Sequence, residues 1–90
     1  VPVHWAAPPD AWRGSPEARL HAAETRAALT AAFEGLPPAQ REVVLLRDVH
    51  GWTSVEVCNA LDLTETNQRV LLHRGRTRLR QALEELHDEQ

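Results

Sequence analysis

The sequence predicts an all-α fold of four helices that includes a helix-turn-helix and follows an amino-terminal arm. Its apolar residues are mainly alanine, leucine and valine, with one phenylalanine and no tyrosine, and residues that favour helices far outnumber alternating β-branched runs. Proline, glycine and capping residues divide the chain into four helical segments. Ninety residues bury roughly 60 to 65% of their unfolded surface, which suits one small domain rather than a large enzyme.

Residues 1–15 form the predicted arm, and residues 16–90 form the domain. The arm holds three prolines, one glycine and two tryptophans, Trp5 and Trp12, without helical or strand periodicity, which is typical of a linker. We expect both indole rings to pack on the same chain. Because the first residue is Val1 rather than methionine, we also expect the sequence to be a fragment of a longer protein.

The first helix is predicted to begin at Ser15-Pro16-Glu17. Serine caps the helix, proline takes the first helical position, and glutamate lies in the first turn. The helix should run to about Glu34, and Gly35 is placed to end it in a left-handed conformation. Its modest apolar side consists of Leu20, Ala23, Ala27 and Phe33.

The second helix is predicted to begin near Pro38, because Leu36-Pro37-Pro38 interrupts any helix that precedes it. Four consecutive apolar residues at 43–46 surround much of this helix, which predicts that it is central and buried. We expect it to end at His50-Gly51-Trp52.

A short third helix over residues 54–61 follows a predicted capping box. In that motif, Thr53 accepts a hydrogen bond from the backbone N–H of Glu56, and the Glu56 carboxylate reaches back to Thr53. The pattern exposes Glu56 and Asn59. It buries Val57, Cys58 and Leu61.

The fourth helix follows a tight turn at Asp62-Leu63, is capped by Thr64, and runs from about Glu65 to His87. Gly75 in its middle should cost up to ~1 kcal/mol relative to alanine, so we expect another backbone to approach closely there. The apolar face consists of Leu72, Leu79, Leu83 and Leu86. A separate, solvent-facing row consists of Arg69, His73, Arg76 and Arg80.

The charges of the chain are sorted along its length. The net charge is −3, which by itself argues against a nucleic-acid partner. Between Thr66 and Leu83, however, lie five of the ten basic residues and none of the 13 acidic ones, so this segment carries +5 and the remainder carries −8. A basic strip on a helix is the usual footprint of phosphate binding, although exposed arginines also occur simply as a solvated face.

The sequence contains no recognisable catalytic or metal-binding pattern. The histidines and Cys58 lack the paired spacing of zinc ligands, and there is no glycine-rich phosphate loop. Cys58 is expected to be a small core residue. A single cysteine, no signal peptide and no apolar stretch of roughly 20 residues favour the reducing cytoplasm without a membrane association. We therefore expect a cytoplasmic protein that is not an enzyme and holds no cofactor.

Taken together, the last three segments predict a helix-turn-helix. A buried helix, a short capped helix, a tight turn and a longer helix with basic residues near its start occur in the order of that motif. The last helix of such a unit fits the ~12 Å major groove of DNA, and its amino end directs N–H groups at a phosphate. The sequence therefore predicts a DNA-binding module.

Two segments resemble region 4 of the extracytoplasmic-function (ECF) sigma factors. The run from Leu36 to Thr53 is similar to the family pattern LPxxxRxVxxLRxxxGxS, and the run from Leu72 to Arg80 is similar to its LHRARxxLR tail. The resemblance covers about residues 30–84. It implies a winged-helix-like domain without a wing that binds the −35 promoter element and the flap of the RNA polymerase β subunit, with an anti-sigma factor as a further candidate partner. Residues 1–15 would connect it to a missing region 2 domain that melts the promoter.

The resemblance also implies which residues meet each partner. Arg47 falls where the family contacts a backbone phosphate, and the exposed face of the fourth helix falls where it meets bases, which arginine can recognise through guanine O6 and N7. The residues expected to contact DNA are Arg47, Thr64, Thr66, Asn67, Arg69, Val70, His73, Arg74 and Arg76. The residues expected to contact the polymerase or an anti-sigma factor are Val44, Leu45 and Leu46.

The fourth helix departs from the family pattern at three positions. Gln68 stands where relatives commonly carry a core valine, and Val70-Leu71 stand where they commonly carry polar or basic residues. Either the helix is rotated slightly, or Val70 contacts a thymine methyl group while Leu71 helps to close the core. Two arginines of this helix are spaced to form ion pairs of about 0.3 to 0.5 kcal/mol, namely Arg78 and Arg80 with Glu84 and Glu85.

Two other functions stay open. The effector domain of a LuxR-type response regulator also has four helices and a similar opening motif, but the arginine-rich tail and the turn at Trp52 weigh against it. The second alternative is a protein-interaction module that an anti-sigma factor holds through an apolar groove, with DNA contact secondary.

Overall fold

The computed structural model of the chain describes residues 15–88, and these form four α-helices. Helix α1 spans Pro16–Glu34, α2 spans Pro38–Val44 and continues as a π-helical turn at Leu45–Val49, α3 spans Ser54–Leu61, and α4 spans Glu65–Asp88. No strand occurs within the described range. The predicted all-α class, the number of helices and their order are confirmed. The predicted arm at residues 1–15, with Trp5 and Trp12, lies outside the described residues except for Ser15.

Helix α1 begins and ends where the sequence predicts, but the conformation of its last turn differs. The Ser15 hydroxyl accepts a hydrogen bond from the backbone N–H of Ala18 at 3.2 Å. The prediction that Gly35 ends the helix in a left-handed conformation is wrong, because its φ of −82° and ψ of −6° are right-handed. Its N–H bonds to the Ala31 carbonyl and that of Leu36 to the Phe33 carbonyl. The chain then leaves the helix because prolines follow at 37 and 38, and Leu36 is buried at 4% exposure.

The predicted apolar side of α1 is only partly used. Phe33, near the carboxyl end of the helix, packs against the core. Leu20 is 60% exposed, and Ala23 and Ala27 are exposed as well. The first half of α1 therefore presents its apolar residues to solvent within the described structure.

Helix α2 is the central helix that the sequence predicts. Val43 and Val44 are 0% and 2% exposed, and together with Val57 and Leu72 they form the buried core cluster. Helix α4 packs along both α1 and α2. The core thus lies where the middle of α4 crosses α2, with α3 closing one side through Val57.

The π-helical turn after α2 is a feature that the sequence does not predict. The backbone N–H of His50 bonds to the Leu45 carbonyl at 3.0 Å, and that of Trp52 bonds to the Leu46 carbonyl at 2.9 Å. A π-turn inserts extra residues into the helical repeat, so it rotates every side chain that follows, and such turns frequently occur at functional sites. Arg47 and Asp48 lie on this turn, and their directions depend on it.

The helix-turn-helix is set by the predicted caps. Glu56 N–H donates to the Thr53 hydroxyl at 3.1 Å, and Thr53 N–H donates to the Glu56 carboxylate at 2.8 Å, which confirms the capping box. Asp62 ends α3 in a left-handed conformation with φ 56°. The Thr64 hydroxyl then accepts from Asn67 N–H at 3.1 Å and caps α4. These contacts fix the angle at which α4 leaves the turn.

Gly75 allows the central close approach of α2 and α4. A Cβ atom at this buried position would lie 2.6 Å from Val44 Cγ2 and 3.5 Å from the Gln40 carbonyl oxygen. The first distance is shorter than packed carbon atoms tolerate. The predicted close approach at Gly75 is therefore confirmed, and the contact it permits is with the side chain of Val44 and the backbone of α2.

We expect Gly75→Ala to lower the free energy of unfolding by up to about 2 kcal/mol. Overpacking a core costs about 1 to 3 kcal/mol, which outweighs the gain of up to ~1 kcal/mol that alanine brings to a helix interior. Denaturant unfolding monitored by circular dichroism measures the change. In a Val44→Ala background the clash is removed, so the same Gly75→Ala change should then be neutral or stabilising; an equal loss in both backgrounds would contradict this account.

Candidate nucleic-acid interface

The exposed face of α4 brings together most of the residues predicted to contact DNA. Arg69, Val70, His73, Arg74 and Arg76 line one shallow concavity on its surface. Each of them is exposed, and buried Leu72 forms the floor at one side of the concavity. The geometry presents three guanidinium groups and one imidazole on a single helical surface that starts one turn from the amino end.

Val70 and Leu71 differ in how far they are buried. Val70 is 38% exposed, whereas Leu71 is partly buried and packs against the core cluster. Of the two sequence interpretations, the one in which Leu71 helps to close the core agrees with this arrangement. Val70 is left as an apolar group among cations, where it is available to a methyl group of a bound partner.

The amino end of α4 supplies polar groups next to this surface. Thr64, Thr66 and Asn67 are exposed. The Thr64 oxygen is engaged as the cap of α4, but a hydroxyl that accepts a hydrogen bond still has its own hydrogen to donate. Glu65 lies among them and places a negative charge there, and its carboxylate is 4.0 Å from Nε of Arg69.

Arg76 is held by an acidic residue from the π-turn. Its Nε donates to Asp48 Oδ2 at 2.9 Å and its Nη2 donates to Asp48 Oδ1 at 2.5 Å. This two-point contact ties α4 to the end of α2 across 28 positions of sequence. Arg76 is among the residues predicted from the sequence to contact DNA, but its partner Asp48 could not be predicted, since no local spacing relates the two residues.

The ion pair shifts the pKa of both groups. The hydrogen bond from Arg76 lowers the pKa of Asp48 below its ordinary value of 3.8, and the charges of Arg76 and Arg47 lower it further against the opposing effect of partial burial. The same hydrogen bond raises the pKa of Arg76. Arg76 therefore stays positively charged, but the negative charge of Asp48 partly offsets the attraction of Arg76 for an anion in solution.

Arg47 lies beside the start of α4 and has an unforeseen partner. Its Nη1 donates to the Oε1 atom of Gln68 at 2.8 Å, and Gln68 is completely buried. Arg47 itself is partly buried. A guanidinium group has five N–H donors, so this bond leaves others for a phosphate.

The three residues predicted to contact the polymerase lie in different environments. Val44 is 2% exposed and belongs to the core, so it has almost no surface to offer a partner. Leu46 is partly buried against the same core. Leu45 lines an open apolar groove between α1 and the π-turn, together with Leu29, Phe33 and Val49. Only Leu45 of the three lies on this groove, and the residues that α1 and Val49 contribute to it were not predicted from the sequence.

Other predictions concern the second half of α4 and metal binding. Within residues 15–88 the predicted ion pairs of Arg78 and Arg80 with glutamates do not form, and Arg80 instead donates to the Thr77 hydroxyl at 3.4 Å. The same part of the chain has no group of three metal-ligating side chains, and Cys58 is a partly buried free thiol. None of the helices over residues 15–88 is long and apolar enough to cross a membrane.

The chain is similar in sequence to one family of known proteins. The family model described as "Sigma-70, region 4" matches residues 26–79. Two curated relatives, each named ECF RNA polymerase sigma factor SigG and each from a strain of Mycobacterium tuberculosis, are 44% identical over 54 residues. The match covers 60% of this chain and 15% of each relative, so the chain matches only a small part of those proteins. No solved structure matches.

We expect Asp48→Asn to lower the free energy of unfolding by about 0.5 kcal/mol near pH 7, because the pair is exposed enough for solvent to screen it. The folded-state pKa of Asp48 is depressed, so its contribution is complete well above pH 3.8 and is lost as the pH falls through the folded value. Wild type and variant should therefore converge in acid. Urea unfolding at several pH values measures this, with Glu42→Gln at an exposed position of α2 as the control; a difference that persists in strong acid would refute the ion-pair origin.

Proposed function

This chain belongs to the sigma-70 region 4 family, and on that premise we propose that it recognises the −35 element of bacterial promoters and binds core RNA polymerase. It would do so as the carboxy-terminal domain of an ECF sigma factor in the cytoplasm, directing transcription initiation without catalysing a reaction itself. The observation that carries this proposal is the exposed basic surface of α4, which follows directly from a capped helix-turn-helix.

The physical fit of α4 to DNA supports the first part of the proposal. A single helix enters the major groove, where arginine makes bidentate contacts to guanine. Arg69 and Arg74 lie on the exposed face at the start of α4, and His73 lies between them. Within residues 15–88 no ion pair joins Arg74 or His73 to an acidic side chain. Arg74 and His73 are therefore our principal candidates for contacts to base edges.

Phosphate contacts would fix the position of α4 in the groove. The amino end of a helix attracts anions through its N–H groups and its dipole. Thr64, Thr66 and Asn67 lie at this end, and Arg47 approaches it from the π-turn through Gln68. Such contacts orient a protein on the duplex without reading its sequence.

The apolar groove between α1 and the π-turn supports the second part of the proposal. Leu29 and Val49 are 38% and 64% exposed, and they share the groove with Phe33 and Leu45. An exposed apolar groove of this kind suits the side chains of a partner protein. We assign it to the flap of the polymerase β subunit, with Leu45 as the central contact in place of Val44.

The two alternative functions differ in what supports them. The match to sigma-70 region 4 over residues 26–79 favours a sigma factor over a LuxR-type response regulator. Binding of an anti-sigma factor would use the same apolar groove and is compatible with the main proposal. If protein interaction were the principal role, arginine substitutions on α4 would have mild effects and substitutions in the groove severe ones.

Arg74→Ala should weaken binding to a selected promoter sequence by about 1 to 3 kcal/mol, because the variant loses a contact to a base edge. Duplexes enriched from a random pool by the wild-type chain provide the probe, and fluorescence anisotropy at low and moderate salt provides the measurement. Arg26→Ala removes the same charge from exposed α1 and serves as the control. Equal affinities of the Arg74 and Arg26 variants for the selected sequence would count against base recognition by α4.

Leu45→Asp should reduce retention of the chain by an immobilised β-flap fragment of bacterial RNA polymerase by about tenfold or more, since burial of one leucine is worth about 1.5 to 3 kcal/mol. Leu20→Asp makes the same change at a position 60% exposed on α1 and outside the groove. Circular dichroism verifies that both variants fold. Equal retention of both variants, or no retention of folded wild type, would remove the support for polymerase binding.

A further inference from the structure

Gln68 is a polar side chain that is completely buried. It is 0% exposed, like Val43 and Val57. A buried amide without hydrogen-bond partners destabilises the folded state. Here both ends of the amide are engaged: Oε1 accepts from Arg47 at 2.8 Å, and Nε2 donates to Glu65 Oε1 at 3.4 Å. The burial and the hydrogen bonds show that its side chain is held in one place.

The hydrogen bonds of Gln68 extend across the helix-turn-helix. Glu65 also accepts a hydrogen bond from the Ser54 hydroxyl, so the chain Ser54–Glu65–Gln68–Arg47 joins the first residue of α3, the first turn of α4 and the π-turn. These three elements would have to move together when DNA is bound. The network therefore sets the position of the Arg47 guanidinium relative to the amino end of α4.

The neutrality of Gln68 matters for Arg47. Ordering a free arginine side chain costs conformational entropy, and a hydrogen bond to a buried acceptor orders the side chain before DNA is bound. A carboxylate at position 68 would hold the guanidinium equally well but would cancel its charge. The adjacent acid, Asp48, is directed to Arg76 instead. An amide thus fixes Arg47 without adding a second negative charge to that of Asp48, with which Arg47 already interacts.

From these contacts we propose that Gln68 is a positioning residue, which holds Arg47 through a buried hydrogen bond so that its remaining N–H donors meet a DNA phosphate beside the amino end of α4. The inference rests on the proposed DNA-binding function and deepens it. Gln68 itself makes no contact with DNA in this proposal. Its effect on DNA binding should arise entirely from the position of Arg47.

The test uses Gln68→Met, which keeps an unbranched side chain of similar size but removes the amide acceptor. Binding of the 90-residue chain to a random-sequence DNA duplex is measured over a range of salt concentrations. We expect affinity to fall about three- to tenfold, and the salt dependence to lose up to about one phosphate contact. Gln40→Met is the matched control, because Gln40 is also buried, at 7% exposure, but has no hydrogen bond to Arg47.

A double-mutant cycle separates positioning from a general structural role. In an Arg47→Ala background, Gln68→Met should change DNA affinity less than about twofold, because the residue through which it acts is absent. An undiminished loss in that background would overturn the proposal. Unchanged affinity of folded Gln68→Met in the wild-type background would overturn it as well. If Gln68→Met does not fold, Gln68→Leu replaces it in the same cycle.

A second measurement needs no DNA. In nitrogen-detected NMR of the wild-type chain, the hydrogen bond to Gln68 should slow rotation of the Arg47 guanidinium, and Gln68→Met should restore fast rotation while Gln40→Met does not. Fast rotation in the wild type would remove the premise. If instead the wild-type chain shows this restraint but no salt-dependent binding to DNA, the proposed function fails. If Arg47→Ala binds DNA like wild type, this inference fails while the proposed function stands.

Discussion

The approach of α2 and α4 at Gly75 is the constraint on which the rest of the structure depends. Because no Cβ fits beside Val44 Cγ2, a side chain at this position would push the helices apart, and the contact between Leu72 and the two core valines would loosen with them. The exposed basic face of α4 is simply the side opposite this contact. The crossing therefore determines both the core and the direction in which the cations point.

Sequence patterns predicted the features that depend on local chemistry. The caps at Ser15, Thr53 and Thr64 involve atoms three residues apart, and so they can be recognised from neighbouring letters. The close approach at Gly75 could also be predicted, because a glycine inside an amphipathic helix needs a packing reason. The predicted end of α1 at Glu34 was right, but the left-handed conformation predicted for Gly35 was wrong, since the prolines at 37 and 38 stop the helix without it.

The features that escaped prediction depend on contacts between distant parts of the chain. Arg47 and Gln68 are 21 positions apart and Arg76 and Asp48 are 28 apart, so no periodicity relates them. Both pairs also depend on the π-turn, which changes the direction of residues 47 and 48 and has no marker in the sequence. The sequence accordingly identified α4 as the basic surface but did not show which of its arginines have partners inside the domain.

The two pairs, Arg76 with Asp48 and Arg47 with Gln68, give the two arginines different roles although both carry the same charge. Asp48 holds Arg76 with a carboxylate, which gives a strong tie between α2 and α4 but offsets its charge. Gln68 holds Arg47 with an amide, which gives a weaker tie and leaves the charge intact. A domain that must be rigid and must also attract phosphate needs both kinds of contact. An acid serves where an arginine mainly joins helices, and a neutral acceptor serves where the arginine must still bind an anion.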